Sequence, residues 1–144
     1  MILSRKGRYG LRALIDLGKS SEYGHVSLAS IAERNRISAQ YLEQIFAALR
    51  RAGIIRSIKG AQGGYFLARD PSEITVAEIL HALDGSYQIE PEKSQDDGIA
   101  QTLQSCVIDR LNEALDSILE EETLADLISH YREHHVSADD MYYI

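Results

Sequence analysis

The stretch GIIRSIKGAQGGYFLA, residues 53–68, decides how this chain folds. Three of its glycines, Gly60, Gly63 and Gly64, fall within five residues. A phosphate loop of the Walker kind ends in Gly-Lys-Ser/Thr and runs into a helix. A dinucleotide fingerprint also opens a helix, at a different glycine spacing. Here the glycines give way to Tyr65, Phe66 and Leu67, and Ile54, Ile55 and Ile58 precede them. These are strand formers on both sides of a flexible tip, which predicts a hairpin. Glycine supplies the positive backbone angles of the tip and its bulge. A hairpin that binds nothing is the alternative this stretch leaves open.

Just upstream, SAQYLEQIFAALRRAG predicts a helix capped by Ser38 and stopped by Gly53, with Leu42, Ile45, Phe46 and Leu49 inward. SLASIAERNRIS before it predicts a short helix capped by Ser27, with Leu28, Ile31 and Ala32 inward and an end near Arg34 and Asn35. Two helices about four residues apart are helix-turn-helix organisation. The hairpin after the second is then the wing of a winged helix. Ser38, Gln40, Tyr41, Glu43 and Gln44 lie off the second helix's apolar stripe. Gln pairs with adenine edges and Glu accepts from cytosine, while Ser, Gln and Tyr also hold phosphates. Tyr41 reads equally as half-buried core. Arg50 follows at the far end of the helix. Arg56, Lys59 and Gln62 belong to the wing, where a basic side chain on a slim tip suits a minor groove.

The first helix is expected from a Ser4 cap to about Ser20, with Leu11, Leu14, Ile15 and Leu17 as its stripe. Arg5, Lys6, Arg8 and Arg12 crowd its start. Cations there oppose the helix dipole, a cost that makes sense beside a polyanion. The net charge of −7 conceals a division: residues 1–70 carry 12 Lys/Arg against 5 Asp/Glu, and residues 71–144 carry 3 against 17. A nucleic acid responds to the local field, so the basic half outweighs the acidic sum. Ser4, Lys6, Arg8 and Ser27 therefore join the candidate DNA contacts.

Thr75 or Ser72 can cap VAEILHALDG, and residues 86–98 read as an acidic loop. Residues 99–122 predict one long helix with Leu103, Val107, Leu111, Ala114, Leu115, Ile118 and Leu119 along one side. A small domain cannot cover so long a stripe, so a second copy is expected on it, with packing back onto the first helix as the alternative. Thr123 caps a final short helix, LADLISHY, after which the chain is expected to break. The fold class is mainly α: a winged helix-turn-helix domain at 1–85, a connecting loop at 86–98, and a long dimerisation helix, short helix and tail at 99–144. No cofactor and no metal is expected; His130 and His134 lack a complete ligand pattern. No nucleophile, base and orienter come together, so an enzyme is not expected. No apolar run reaches the length of a membrane span or a signal peptide, which points to the cytoplasm.

These residues resemble a bacterial winged-helix repressor family that includes the iron–sulfur cluster biogenesis regulator, the nitric-oxide-sensing repressor and the cysteine metabolism repressor. KGRYGLRAL, YLEQIFAALRRAGII, GAQGGYFLA and ITVAEILHALDG carry the resemblance, which spans nearly the full chain. It implies homodimers on operator palindromes, with Ser38, Gln40, Tyr41, Glu43 and Gln44 at the recognition positions. Cluster-bearing members have three cysteines in the loop before the long helix. This chain has none there and only Cys106 beyond it. One thiolate cannot hold an ordinary cluster. Cys106 is expected as a small buried hydrophobe, with a redox-sensing thiol as the alternative. The ending DDMYYI resembles the tail of the cysteine metabolism branch, whose members pair with cysteine synthase. Tyr142, Tyr143 and Ile144 are thus candidate partner contacts, unless the tail packs on its own dimer. Two further readings stand beside the repressor of sulfur genes: a regulator sensing redox state, metal or cluster, and a winged-helix interaction module without a DNA target.

Overall fold

The structure is a computed structural model and describes residues 3–21, 24–93 and 98–142, with 136–142 as backbone alone. Helix α1 (Arg5–Ser20), α2 (Leu28–Asn35) and α3 (Ala39–Arg51) lead into strands β1 (Ile55–Ile58) and β2 (Gly64–Leu67). Each helix begins where a serine hydroxyl accepts a backbone N–H. Gly7 donates to Ser4 at 2.9 Å, Ser30 to Ser27 at 3.2 Å and Tyr41 to Ser38 at 3.1 Å. Such caps contribute about 1 kcal/mol apiece. The helix-turn-helix bend is made at Arg36, which ends α2 in the left-handed region at φ 55°. Its N–H donates back to the carbonyls of Ala32 and Glu33.

Strands β1 and β2 pair antiparallel, from Ile55 opposite Leu67 to Ile58 opposite Gly64. A third segment braces them: Val26 and Tyr65 exchange backbone hydrogen bonds of 2.9 and 2.8 Å. Two glycines are required by close approach. A Cβ on Gly63 would lie 2.1 Å from the Ile58 carbonyl oxygen, and one on Gly64 would lie 2.5 Å from that of Val26.

Leu14, Leu17, Ile31, Leu42, Ile45, Phe46, Leu49 and Ile54 fill the main core. Each such side chain contributes on the order of 1.5–3 kcal/mol by leaving water. Helix α4 (Val76–Asp84), capped by Thr75, closes one side of this core. Ser4 donates its hydroxyl proton to Asp84 at 2.6 Å, pinning the start of α1 to the end of α4.

The acidic half departs from expectation in three respects. The long helix is not α-helical throughout: α5 (Ile99–Leu103) passes through a π segment (Gln104–Ile108) into α6 (Asp109–Glu121). A polar side chain competes for the backbone at the start of the π segment, where Ser105 Oγ donates to the Gln101 carbonyl at 3.0 Å. Secondly, the final helix does not break after Tyr131. It runs as α7 (Leu124–Tyr142), because the backbone continues helical through HVSADD. Its start is a reciprocal box in which Asp126 N–H donates to Thr123 Oγ1 and Thr123 N–H to Asp126. Leu124 and Ile128 carry α7 into the main core beside α1. Thirdly, Cys106 is exposed in the single chain rather than a buried hydrophobe, as are its neighbours Ser105 and Val107, because the domain covers this helix only on the side of Ile108.

The loop after α4 is strapped to α6. Tyr87 is buried, and its hydroxyl donates to Asp116 at 2.6 Å; Ile89 N–H donates to Asn112 Oδ1 at 2.8 Å. Burial and the Asp116 carboxylate push the Tyr87 hydroxyl up to about 12. The Tyr87 and Gln88 hydrogen bonds hold Asp116 below the usual carboxylate range.

Asp16 is the buried charge that fixes α2 on α1. Arg34 donates to both of its oxygens, at 2.7 Å for the closest approach, and Asn35 Nδ2 donates at 2.8 Å. Hydrogen bonding to Asp16 raises the Arg34 guanidinium above its ordinary value. Asp16→Ala would strand these donors at the helix-turn-helix bend, with Arg34 still partly solvated. The expected loss is about 2 kcal/mol, read as a lower urea midpoint with an unchanged slope.

Candidate nucleic-acid interface

Helix α3 and the hairpin form one concave surface. A groove of about 360 Å³ between them is lined by Glu43 and Arg50 from α3 and by Ser57, Lys59, Gly60 and Gly63 from the hairpin. Arg50 Nη1 reaches Ser57 Oγ at 3.5 Å, so the end of the recognition helix touches the base of the wing. Arg56, Lys59 and Gln62 are exposed on the wing, as are Gln40, Glu43 and Gln44 on α3. Of the expected contacts, the groove itself brings together Glu43, Arg50 and Lys59.

The serines have a double position. Ser4, Ser27 and Ser38 accept helix N–H groups, so each oxygen sits where N–H donors converge at a helix start. Ser27 and Ser38 are exposed, and Ser4 is half-buried with its proton committed to Asp84. Lys6 is half-buried, while Arg8 is exposed and donates to the Leu3 carbonyl at 3.2 Å. Tyr41 is half-buried against the main core and meets Tyr9 edge to face, with centroids 5.9 Å apart.

A second cleft, of about 310 Å³, opens at the start of α3 between Arg5, Tyr9, Arg36, Ser38 and Tyr41. It joins the first turn of α1 to the helix-turn-helix bend, with two guanidiniums on its walls. Sequence reasoning missed Arg36 and Tyr9 as candidates and counted Arg5 only within a basic patch. Arg36 lies between two helices, where no periodicity assigns it a face. The signal available was the basic run around the bend, Arg34-Asn35-Arg36.

The remaining candidates divide. Leu103, Val107, Leu111 and Ile118 are 42–63% exposed, and Ala114 is exposed as well. Leu115 instead packs within the chain against the cluster of Val76, Ala77, Leu80 and Tyr87. Tyr143 and Ile144 lie outside the described residues, and Tyr142 ends the backbone of α7. Among the described residues, no three His, Cys, Asp or Glu side chains gather as a metal site, and no helix is long and apolar enough to cross a membrane.

Residues 3–130 match the Rrf2 family, described as an iron-dependent transcriptional regulator. The described residues do not fit an iron centre, since Cys106 stands alone and no acidic or histidine ligands join it. The chain is 40% identical to the HTH-type transcriptional regulator CymR of Bacillus subtilis (strain 168), over 90% of this chain and 91% of that one. It is 39% identical to the HTH-type transcriptional regulator IscR of Klebsiella pneumoniae (strain 342), over 90% and 80%. Among solved structures it is similar to CymR (YrzC), the global cysteine regulator of B. subtilis. There the TM-score is 0.78 at 41% identity, covering 88% of this chain and 95% of that one. These relatives are regulators and not enzymes, which agrees with a hairpin in place of a nucleotide loop. With a helix-turn-helix followed by a two-stranded wing, the chain belongs to the Rrf2 family of transcriptional regulators.

Proposed function

We propose that the protein is a cytoplasmic homodimeric repressor that binds operator DNA of cysteine or sulfur metabolism genes and works with cysteine synthase. The observation that carries the DNA reading is the groove shared by α3 and the wing, which sets Glu43, Arg50 and Lys59 around one concavity. In this reading Gln40, Glu43 and Gln44 meet base edges in a major groove. Lys6, Arg8, Ser27, Ser38, Tyr41, Arg50 and Arg56 meet backbone phosphates, while the Ser4 hydroxyl, its proton committed to Asp84, holds the start of α1. Lys59 and Gln62 enter the flanking minor groove. Likeness to CymR, named as a global cysteine regulator, supports the choice of genes.

The dimer reading rests on the long helix. Ile99, Leu103, Val107, Leu111 and Ile118 form an exposed apolar row on an element already packed on its other side. An open trough of about 620 Å³ follows the row past Ile99, Leu103, Cys106 and Val107. A second copy would cover it and hold two recognition helices about one DNA turn apart. A second reading, a regulator sensing redox state through its thiol, is favoured by the exposure of Cys106 on that row. An interaction module without DNA is disfavoured by the basic first half.

Sedimentation should give the mass of a dimer, and gel shifts on sulfur-gene promoters should show specific binding. Affinity should fall by on the order of a thousandfold between 50 and 200 mM salt. Lys59→Ala should lower affinity and reduce the salt slope by about one. A monomer, or equal binding to unrelated DNA with and without the synthase, would overturn the repressor reading.

Deleting Ile144 should abolish co-elution with cysteine synthase while leaving the gel shift of the isolated dimer intact. An undiminished complex would remove the tail from the interface.

Cys106→Ser distinguishes the thiol reading from the synthase reading. If the thiol is the sensor, peroxide should release wild-type protein from the operator and leave the variant bound. The same release in both would exclude Cys106.

A further inference from the structure

We infer that His25 is a positioning residue for the wing, holding the tip that presents Lys59 and Gln62 to DNA. This rests on the DNA-binding reading above and adds a residue that neither the helix-turn-helix nor the wing pattern contains. The strands of the hairpin are four residues each and stop at Ile58 and Gly64. The tip beyond them is held to itself by Gly63 N–H donating to the Gly60 carbonyl at 3.0 Å. Its tie to the body comes from outside the hairpin. A ring nitrogen of His25, Nε2, lies 2.5 Å from the carbonyl oxygen of Gln62. Since a carbonyl only accepts, Nε2 carries the proton and donates.

The surroundings of His25 are arranged for this reach. Its neighbour Val26 is locked to Tyr65 by hydrogen bonds in both directions, so the His25 backbone is fixed beside the wing. Gly64 leaves the room: a Cβ there would come within 3.0 Å of the imidazole Cδ2 as well as 2.5 Å of the Val26 oxygen. The ring thus crosses a gap that only glycine leaves open, and it grips a backbone atom. Gripping the carbonyl leaves the Gln62 side chain uncommitted. It fixes the direction in which that side chain departs, and so where on the duplex it can reach. A wing without this tie would order its tip only on binding and lose affinity through that cost.

The test uses the full chain and an operator duplex obtained by selection from random sequence. His25→Leu keeps an apolar side chain of similar bulk and removes the donor. His25→Gln keeps an N–H donor on a side chain of similar reach. His25→Leu should weaken operator binding about threefold to tenfold, the worth of one hydrogen bond at a mobile tip. It should relax sequence preference at the wing's end of the site. In DNA-free protein it should lower the backbone order parameters of Gly60 and Gly63. His25→Gln should restore all three readouts towards wild type. If His25→Leu keeps wild-type affinity, preference and order, the tie does nothing and the inference falls. It also falls if His25→Gln is as impaired as His25→Leu, since the ring and not the donor would then matter. Failure of the wild-type chain to bind any DNA would overturn the repressor reading separately, and the order parameters would still decide whether His25 holds the tip.

Discussion

Asp16 sets the frame on which the helix-turn-helix is built. It is the buried charged residue among those described, and its cost in an apolar core is met by donors from one place, the end of α2. Arg34 and Asn35 satisfy both oxygens, and Asn35 also donates to the Ile31 carbonyl within α2. Arg12, one turn before Asp16, donates to the Asn35 carbonyl at 2.9 Å. Side chain and backbone at the last residue of α2 are therefore both held by α1. The chain then turns at Arg36 and starts α3 at Ser38 without freedom to choose another angle. Hydrophobic contact alone would fix the distance between these helices more strongly than their rotation. The hydrogen-bonded pair fixes the rotation, and with it the direction in which α3 offers its polar face.

What was legible in the sequence follows from how local each signal is. Ser4, Ser27 and Ser38 marked helix starts, and Thr75 or Ser72 a fourth, because capping is decided within three residues. The structure has the three serine caps and, of the pair, Thr75. The hairpin was legible because its glycines and strand formers are contiguous. The long-range details were hidden. The Tyr87–Asp116 and Asn112–Ile89 bonds tie residues more than twenty positions apart, so the loop at 86–98 read as plain acidic linker. Cys106 is open in the single chain because residue type predicts burial only on average, and the domain covers the other side of its helix. Helix α7 was cut short because its polar end offers no apolar period to read. Arg36 and Tyr9 line a cleft at the start of α3 that only the folded bend creates.

The π segment also accounts for the shape of the apolar row. Ile99, Leu103, Val107 and Leu111 are spaced by four. In an α-helix of 3.6 residues per turn each such step overshoots a full turn by about 40°, so three steps would carry Leu111 about 120° from Ile99. A row with that drift would wind off any straight partner and bring its far end against the chain's own core. The wider π turn takes up more residues per revolution and returns part of the drift. The row therefore stays on the open side through Leu111, while Ile108, Leu115 and Leu119 face inward. Ser105, whose hydroxyl competes for the Gln101 carbonyl at the start of the π segment, lies within the row's own length. One local departure from α-helix thus lets a single element bury one apolar line in its own domain and keep a second on its open side.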